Sequence, residues 1–287
     1  MERRRRRNIS CGVSPSVVRA CLRQVWFFTF CFSSRPSSLA PLPSFMTFSI
    51  VARCPRTGML GVAVATAVPA VGAMCPFVKS GVGAVSTQSW VNPYIAIDAL
   101  RGMEQGSSGP EALDAVMAAD AGRELRQIGV IDAKGRAAAW SGRECTDWFG
   151  QIVEPNFAVQ GNMLMGAATL DAMAAAFRAS EALDLAERLM RALEAGDAAG
   201  GDKRGRQSAA LRAHFREEYP WLDLRVDEHA HPVAELRRVL GIARLQLLPF
   251  VEGMPTRDGP GVAAPDGVVK LLGLPPPRRP GGGGSAP

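Results

Sequence analysis

Residues 44–66, "SFMTFSIVARCPRTGMLGVAVAT", hold the pattern from which the fold follows. Two short runs rich in β-branched and small apolar residues, TFSIVAR and GMLGVAVAT, stand on either side of PRTG, a turn with proline and glycine in suitable places. This pattern predicts two antiparallel strands joined by a tight turn. A methionine, Met46, directly precedes Thr47, so the stretch also has the form of a chain start.

Residues 1–45 differ in composition from everything that follows. They contain the arginine run MERRRRRNIS, the short apolar block VWFFTFCF and a Ser/Pro-rich segment. One interpretation is a targeting leader, which would make the protein exported or organellar, because signal and transit peptides share a basic, acid-poor character. The interpretation we favour is upstream sequence translated from a misplaced start, with Met46 as the true initiator and a cytoplasmic protein.

Charge and cysteine content narrow the possible partners. The net charge is +6, and eight Arg with one Glu give residues 1–45 a charge of +7, which leaves −1 for residues 46–287. A nearly neutral body argues against nucleic acid and anionic membranes as partners. Three widely spaced cysteines in the body, with no C-x-x-C, favour reduced thiols over a disulfide framework or a zinc site.

The order of predicted elements indicates an α+β protein. Strand pairs, a helix pair, further strands, a second helix pair and two more strands follow one another, and a last helix covers PVAELRRVLGIARLQLL. Strands joined as hairpins predict antiparallel sheets, and clustered helices predict layers that cover them. We therefore expect a four-layer αββα sandwich over residues 46–247, followed by a largely disordered Pro/Gly-rich tail at 248–287.

Thr47 is the first candidate for chemistry. If Met46 is the initiator and is removed, Thr47 becomes the terminal residue and carries both a hydroxyl and a free amine. An α-amine with a pKa near 8 can take the proton of the hydroxyl, directly or through water. The structural alternative is that a β-branched residue simply favours a strand, and position alone favours that alternative.

Three further segments carry polar residues between elements. GGDKRGRQSAAL, residues 200–211, lacks the Lys-Ser/Thr of a phosphate loop, and it is either an active-site loop presenting Asp202, Lys203 and Arg206 or a solvated turn. STQSWVNP and VQGNML place amide groups at strand ends, where they could face an oxyanion. Asn92 as a helix N-cap and Asn162 as a turn residue are the structural alternatives.

The histidines give little support to other chemistries. His229 and His231 lie beside acidic residues, but no third ligand stands at usable spacing, so a solvated loop is favoured over a metal site. With His214 the only other histidine, a Ser-His-Asp triad is poorly supported. This favours a nucleophile that carries its own base.

The sequence resembles domain of unknown function 1028, a bacterial family grouped with the N-terminal nucleophile (Ntn) hydrolases. The resemblance is carried, in this order, by MTFSIVAR, GVGAVSTQ, RQIGVID, FAVQGNML and the glycine-rich motif LEAGDAAGGDKRGRQSAAL. The resemblance covers about residues 46–247. It implies the αββα fold, amide hydrolysis by Thr47 with its own α-amine as base, and a chain that begins near Met46. Cys54, where the family commonly has an acid, and the tail after Leu247 depart from the pattern.

The leading hypothesis is an Ntn-type hydrolase that cleaves an amide bond of an unknown small substrate without metal or organic cofactor. In this hypothesis, Asp202 or Lys203 shifts the pKa of the Thr47 α-amine. Gln88 and Asn162 face the oxyanion or the substrate amide, and Arg206 is a further candidate for that role. The alternative is a non-catalytic binding or scaffold protein on the same fold. A homo-oligomer is also compatible with helices rich in small residues, such as AMAAAF.

Overall fold

A computed structural model describes residues 47–286, so the predicted leader at 1–45 and Met46 lie outside the described residues. The described chain is α+β, with ten strands and seven α-helices, which confirms the predicted fold class. The strands are β1 Thr47–Arg53, β2 Leu60–Thr66, β3 Pro76–Lys79, β4 Gly83–Ser89, β5 Arg126–Asp132, β6 Ala137–Ser141, β7 Gly150–Glu154, β8 Phe157–Asn162, β9 Ser208–His214 and β10 Leu222–Val226. The helices are α1 Pro93–Glu104, α2 Gly109–Ala119, α3 Ala168–Ala179, α4 Leu185–Ala198, α5 Pro232–Gln246, α6 Leu248–Glu252 and α7 Asp266–Gly273.

The strands form two antiparallel sheets. The first has six strands in the order β10-β9-β2-β1-β8-β7, and the second has four in the order β3-β4-β5-β6. The predicted β1–β2 hairpin is confirmed, with Thr47 opposite Thr66 and Arg53 opposite Leu60. On its other side β1 pairs with β8, where Thr47 lies opposite Asn162. Thr47 therefore stands on an inner strand of the larger sheet.

The alternation of side chains along β1 shows which residues face the helices and which face the second sheet. Phe48 and Ile50 belong to the apolar cluster shared with the helices α3, α4 and α5. Val51 belongs to a different cluster, with Val62 of β2 and Ile131 of β5, which lies between the two sheets. Because neighbouring side chains on a strand point to opposite faces, Thr47 and Ser49 share the inter-sheet face with Val51.

The second sheet is covered on its outer face by α1 and α2, whose apolar side chains pack against Val85, Ile128 and Val130. Local capping fixes both helix starts. Asn92 accepts a hydrogen bond from the backbone N–H of Tyr94 and caps α1, as the structural alternative for that residue predicted. Ser108 and Glu111 form a reciprocal capping box at the start of α2.

Two parts of the chain differ from the sequence prediction. The strands β3 and β7, which were not predicted, are short and lie at sheet edges. In residues 248–286, where we predicted little regular structure, α6 and α7 bury Leu248 and Val268. Proline and glycine interrupt the apolar pattern there, which leaves helices of five and eight residues that are too short to show a clear periodicity.

Candidate active site

Thr47 lies in a row of polar side chains that crosses four adjacent strands. The register places Asn162, Thr47, Thr66 and Ser208 opposite one another on β8, β1, β2 and β9. Directly opposed residues on antiparallel strands project from the same face of the sheet, which here is the inter-sheet face. The Thr47 hydroxyl donates to Thr66 Oγ1 at 3.3 Å, and Thr47 is 2% exposed.

The glycine-rich turn spans the end of the sheet where Thr47 lies. Asp202 forms a β-bridge with Leu164, just beyond β8, and its Oδ2 accepts from the backbone N–H of Ala67, just beyond β2, at 2.9 Å. The backbone N–H of Lys203 donates to Met163 O at 3.5 Å. Because β1 lies between β2 and β8, this turn crosses the sheet next to the end of β1.

Glycine is required at the start of this turn. Gly201 has a φ of +52°, and a Cβ built on it would lie 3.2 Å from Cε1 of Phe48, the residue after Thr47. A side chain at this position would have to displace the buried Phe48 ring or strain the backbone. Gly201 therefore allows the turn to approach β1 closely.

The Asp202 carboxyl is almost entirely buried. Burial raises its pKa above the usual range, and the Arg204 backbone N–H and guanidinium partly offset that effect. Its side chain is 1% exposed, and the Arg204 guanidinium lies 3.3 Å from Oδ2. The Lys203 ammonium donates to the carbonyl of Asp147 at 3.3 Å. The acid is thus the inner group of the turn, and the lysine extends toward the loop before β7.

Gln88 has a different place from the one predicted. It is fully buried between the sheets, where its Oε1 accepts from Ser49 Oγ at 2.5 Å. Its Nε2 donates to the Thr47 carbonyl at 3.2 Å and to Gln127 Oε1 at 2.7 Å. The amide that we predicted to face a substrate is therefore bonded to protein groups, and it supports the backbone of Thr47.

Asn162 lies directly opposite Thr47 and retains an unused acceptor. Its Nδ2 donates to Gln127 Oε1 at 2.9 Å. Its Oδ1 is buried and has no hydrogen-bond partner among residues 47–286. A buried unpaired carbonyl is costly, so this atom is suited to accept a hydrogen bond from a ligand or a water.

Arg206 is not brought into this group. Its Nε bonds Asp197 Oδ1 at 2.5 Å and its Nη2 bonds the Asp197 carbonyl at 3.1 Å, which ties it to the last turn of α4. The side chain is 42% exposed. The structure thus brings together Thr47, Asn162, Gln88 and Asp202, with Lys203 beside them and Arg206 held elsewhere.

A cavity of about 160 Å³ has Thr47 in its wall. The rest of the wall comes from the loop after β2 and the end of β4, as Val68, Val71, Met74, Cys75, Trp90 and Val91. Burial raises the pKa of the Cys75 thiol to about 12, so it stays neutral. Trp90 and Val91 belong to the predicted segment STQSWVNP, whereas sequence reasoning missed the part of the wall from the loop after β2, although an apolar loop such as VPAVGAMC directly after a buried strand is an available signal.

Left-handed backbone conformations border the same region. Ala70, Ser89 and Met163 have φ values of 56°, 64° and 53°. They are the direct chain neighbours of Val71, Trp90 and Asn162. Each such conformation costs a non-glycine residue about 1–2 kcal/mol, and strain of this kind concentrates at functional sites.

Other kinds of site find less support in the described chain. Among residues 47–286, no group of three or more His, Cys, Asp or Glu side chains is arranged to hold a metal ion. His229 and His231 are exposed, and the backbone N–H of His231 donates to His229 Nδ1 at 2.9 Å. Over the same residues, no helix combines the length and apolar character needed to cross a bilayer.

Residues 47–236 match the family described as a family of unknown function, DUF1028. The chain belongs to the DUF1028 family. It is similar to the crystal structure of the DUF1028 protein SPO2555 from Silicibacter pomeroyi, at 30% identity and a TM-score of 0.71, over 77% of this chain and 96% of that one. No curated protein matches this DUF1028 member.

Proposed function

We propose that this DUF1028 protein is an Ntn-type hydrolase that cleaves an amide bond of a small substrate with Thr47 as its nucleophile. The observation that carries the proposal is the position of Thr47 in the wall of a cavity, at the end of an inner strand. The family match also begins at residue 47. Polar groups from three neighbouring strands and a strained backbone around the cavity add support.

The αββα sandwich is part of the same proposal. Apolar clusters lie outside the first sheet, between the sheets and outside the second sheet, which is consistent with helix, sheet, sheet and helix layers. Such an arrangement buries both faces of each sheet. Thr47 lies at the end of β1 and shares the inter-sheet face with Val51, a position that supports the proposal.

The chemistry requires that nothing be attached to the nitrogen of Thr47. The free α-amine, with a pKa near 8, takes the hydroxyl proton, and Oγ1 attacks the substrate carbonyl. Collapse of the tetrahedral intermediate expels the amine, which receives the proton and leaves an acyl ester on Thr47. Water then cleaves the ester with the α-amine again as base, which releases the acid and restores the hydroxyl.

Neighbouring groups have separate roles in this proposal. Asn162 offers its unpaired Oδ1 as an acceptor for an N–H group of the substrate amide, because it lies opposite Thr47. A negative charge on Asp202 raises the pKa of the amine, and the positive charge of Lys203 lowers it. Gln88 acts as a positioning residue through the Thr47 carbonyl. Arg206 has no role in the reaction.

The experiment combines the mass of the N-terminus with two substitutions at Thr47. We expect active protein to begin at Thr47, Thr47→Ala to lower turnover of an amide panel about 10³-fold or more, and Thr47→Ser to retain measurable turnover. Circular dichroism verifies that the variants are folded. Undiminished turnover by Thr47→Ala, or by protein in which Thr47 remains peptide-bonded, would contradict the proposal.

A non-catalytic binding protein remains the second candidate, and the burial of Thr47 at 2% exposure favours it. In that case the cavity holds a ligand that the protein does not transform. We would then expect wild type and Thr47→Ser to bind amides equally well, without turnover by either protein. Turnover that depends on the Thr47 hydroxyl excludes this candidate.

A further inference from the structure

The wall of the Thr47 cavity is apolar and uncharged. Apart from Thr47 it consists of three valines, a methionine, a tryptophan and a cysteine. The Cys75 thiol is neutral at physiological pH because burial raises its pKa to about 12. A group inside this cavity is therefore surrounded by hydrocarbon, sulfur and an aromatic ring.

Charged side chains close to the cavity are occupied by other partners. The Arg126 guanidinium donates to the carbonyl of Trp90 at 2.8 Å, but it is paired with Asp120, also at 2.8 Å. Asp202 is bound by Arg204, and Lys203 donates to a backbone carbonyl. The α-amine of Thr47 must be unprotonated to act as the base, so it gives no counter-ion in the reactive state. A carboxylate or ammonium in the cavity would then lose its hydration without gaining a counter-ion, which strongly disfavours charged groups.

The volume limits the size of the group. A dry apolar cavity of about 150 Å³ accepts benzene, which has six non-hydrogen atoms. At about 160 Å³, this cavity has room for a similar number of atoms. Met74 and Trp90 are 43% and 38% exposed, so the cavity opens toward solvent between these two flexible or broad side chains.

We infer that this cavity is the acyl pocket of the enzyme and selects amides of uncharged, apolar acids with about four to six carbons, an inference that rests on the proposed function. The acyl group stays attached to Thr47 Oγ1 through the ester stage, whereas the amine must depart after the first step. A small apolar space beside Thr47 suits the group that stays. The amine side of the bond then faces solvent and is less tightly selected.

The test measures kcat/KM for p-nitroanilides of acetic, butanoic, pentanoic, hexanoic and decanoic acids, with the glutaryl compound as a charged counterpart of pentanoyl. It uses the chain from Thr47 to Pro287, whose N-terminus has been verified by mass. We expect kcat/KM to rise about fourfold per added methylene up to five or six carbons and to fall for decanoyl. Glutaryl should react about 100-fold more slowly than pentanoyl.

Matched valine substitutions test whether this cavity sets the preferred length of the acyl chain. Val71→Ala enlarges the cavity and should move the optimum to acyl chains one or two carbons longer. Val233→Ala truncates a buried valine on α5, outside the cavity wall, and should leave the optimum unchanged. Binding of hexanamide gives a readout that does not depend on turnover. In Thr47→Ala, hexanamide should change the fluorescence of Trp90. Loss of this change on adding Trp90→Phe assigns the signal to Trp90.

The outcomes separate the two proposals. Hydrolysis that depends on Thr47, with the expected chain-length optimum and its shift in Val71→Ala, supports the acyl pocket. Hydrolysis that depends on Thr47 but is as fast with glutaryl as with pentanoyl, or is insensitive to Val71→Ala, overturns the acyl pocket alone. Hydrolysis that persists in Thr47→Ala, or is absent from wild type, overturns the proposed function and the acyl pocket with it.

Discussion

At the scale of single residues, the candidate site depends on polar groups whose surroundings change their chemistry. The Thr47 hydroxyl lies 3.3 Å from Thr66 Oγ1 in a row of polar side chains, next to an apolar cavity. The Asp202 carboxyl is buried beneath the glycine-rich turn, where it accepts from Ala67 and Arg204. Burial raises the pKa of the Asp202 carboxyl, and the Thr47 hydroxyl is the nucleophile of the proposed reaction.

The raised pKa of the Asp202 carboxyl predicts a pH-dependent effect of Asp202→Asn on stability. Because burial raises its pKa in the folded state above the ordinary 3.8, the folded protein binds this proton more tightly than the unfolded chain. That contribution to stability is full below about pH 3.8 and is lost as pH rises through the folded pKa. Asparagine does not titrate, so the free energy of unfolding of Asp202→Asn should increase relative to wild type from pH 3 to pH 7.

Urea unfolding at pH 3, 5 and 7 measures this difference. Asparagine has one hydrogen-bond acceptor fewer than the carboxylate, so we expect a pH-independent difference of about 1 kcal/mol in the free energy of unfolding. Only the change of this difference with pH tests the claim. A difference that stays flat would show that folding does not shift the pKa of Asp202, and one that moves in favour of wild type as pH rises would show that the fold stabilises the carboxylate; either result contradicts the claim.

Part of the site could be predicted from residue types and part could not. Thr47, Asn162 and Asp202 are recognisable because hydroxyl, amide and carboxyl groups stand at the ends of apolar strands or in a glycine-rich turn. Arg206 was misleading, since its ion pair with Asp197 is made across a turn whose path the sequence does not reveal. The part of the cavity wall from the loop after β2 was missed because an apolar loop can equally pack into the core, and its residue types do not distinguish the two.

At the scale of elements, a single carboxylate joins a hairpin to a helix. Asp132 ends β5, and its Oδ1 accepts from the backbone N–H groups of Lys134 at 2.8 Å and Arg136 at 3.0 Å, which closes the turn to β6. Its Oδ2 accepts from the backbone N–H of Gly109 at 3.0 Å, at the start of α2. The same residue therefore fixes the β5–β6 turn and the position of α2 on the second sheet.

Asp132→Asn should destabilise the protein by about 1–3 kcal/mol at pH 7, since at least one buried N–H loses a charged acceptor. Burial alone would raise the pKa of Asp132, but hydrogen bonds from Gly109, Arg136 and Lys134 outweigh it and lower the pKa below 3.8. Its contribution is present above about pH 3.8 and is lost as pH falls through the folded pKa.

The destabilisation by Asp132→Asn should therefore shrink in acid, opposite in sign to the pH effect expected for Asp202→Asn. The two variants can be measured in one series of urea unfolding curves and serve as controls for each other. Equal pH profiles for both variants would mean that the contrast between these two carboxyls is absent.

The elements that the sequence predicts well are those with a strong local signal. The β1–β2 hairpin has alternating apolar residues and a Pro/Gly turn, and α2 begins with a Ser-x-x-Glu capping box. The strand β7 has neither advantage, because its residues are only partly buried at a sheet edge. Edge strands such as β3 and β7 depend on the neighbour they pair with, and a local pattern does not identify that neighbour.

At the scale of the whole molecule, the interface between the two sheets changes character along its length. At one end, apolar side chains such as Val51, Val62 and Ile131 pack together. At the end near Thr47, the contacts are hydrogen bonds among buried serine, threonine, glutamine and asparagine side chains. A polar interior is costly unless it is satisfied, so this end of the interface specifies how the sheets are held around the site.

Gln88→Leu tests the importance of this polar end. The substitution leaves the Thr47 carbonyl without its amide donor and removes one partner each from Ser49 and Gln127. We expect a loss of about 3 kcal/mol in the free energy of unfolding, and lower turnover because Thr47 is less firmly held. Ile131→Val, at the apolar end, should cost only about 1 kcal/mol and leave turnover unchanged. A Gln88→Leu protein as stable as wild type would show that the network is dispensable.

The strand order and the layering could not be worked out from local patterns. The pairing of β1 with β8 joins residues more than one hundred positions apart, and only this pairing places Asn162 opposite Thr47. Composition, periodicity and hairpin turns indicate two antiparallel sheets with clustered helices, but they do not give the order of the strands. The polar row at the site is a product of long-range register.

Peptide mass spectrometry of protein quenched during turnover tests the central claim most directly. With hexanoyl p-nitroanilide as substrate, the account predicts a hexanoyl ester on Thr47 Oγ1, in a peptide that begins at Thr47 with a free amine. The adduct should be absent from Thr47→Ala and should disappear once the substrate is consumed. An acyl group found on another residue, or steady hydrolysis by a chain whose Thr47 nitrogen is peptide-bonded, would contradict the account.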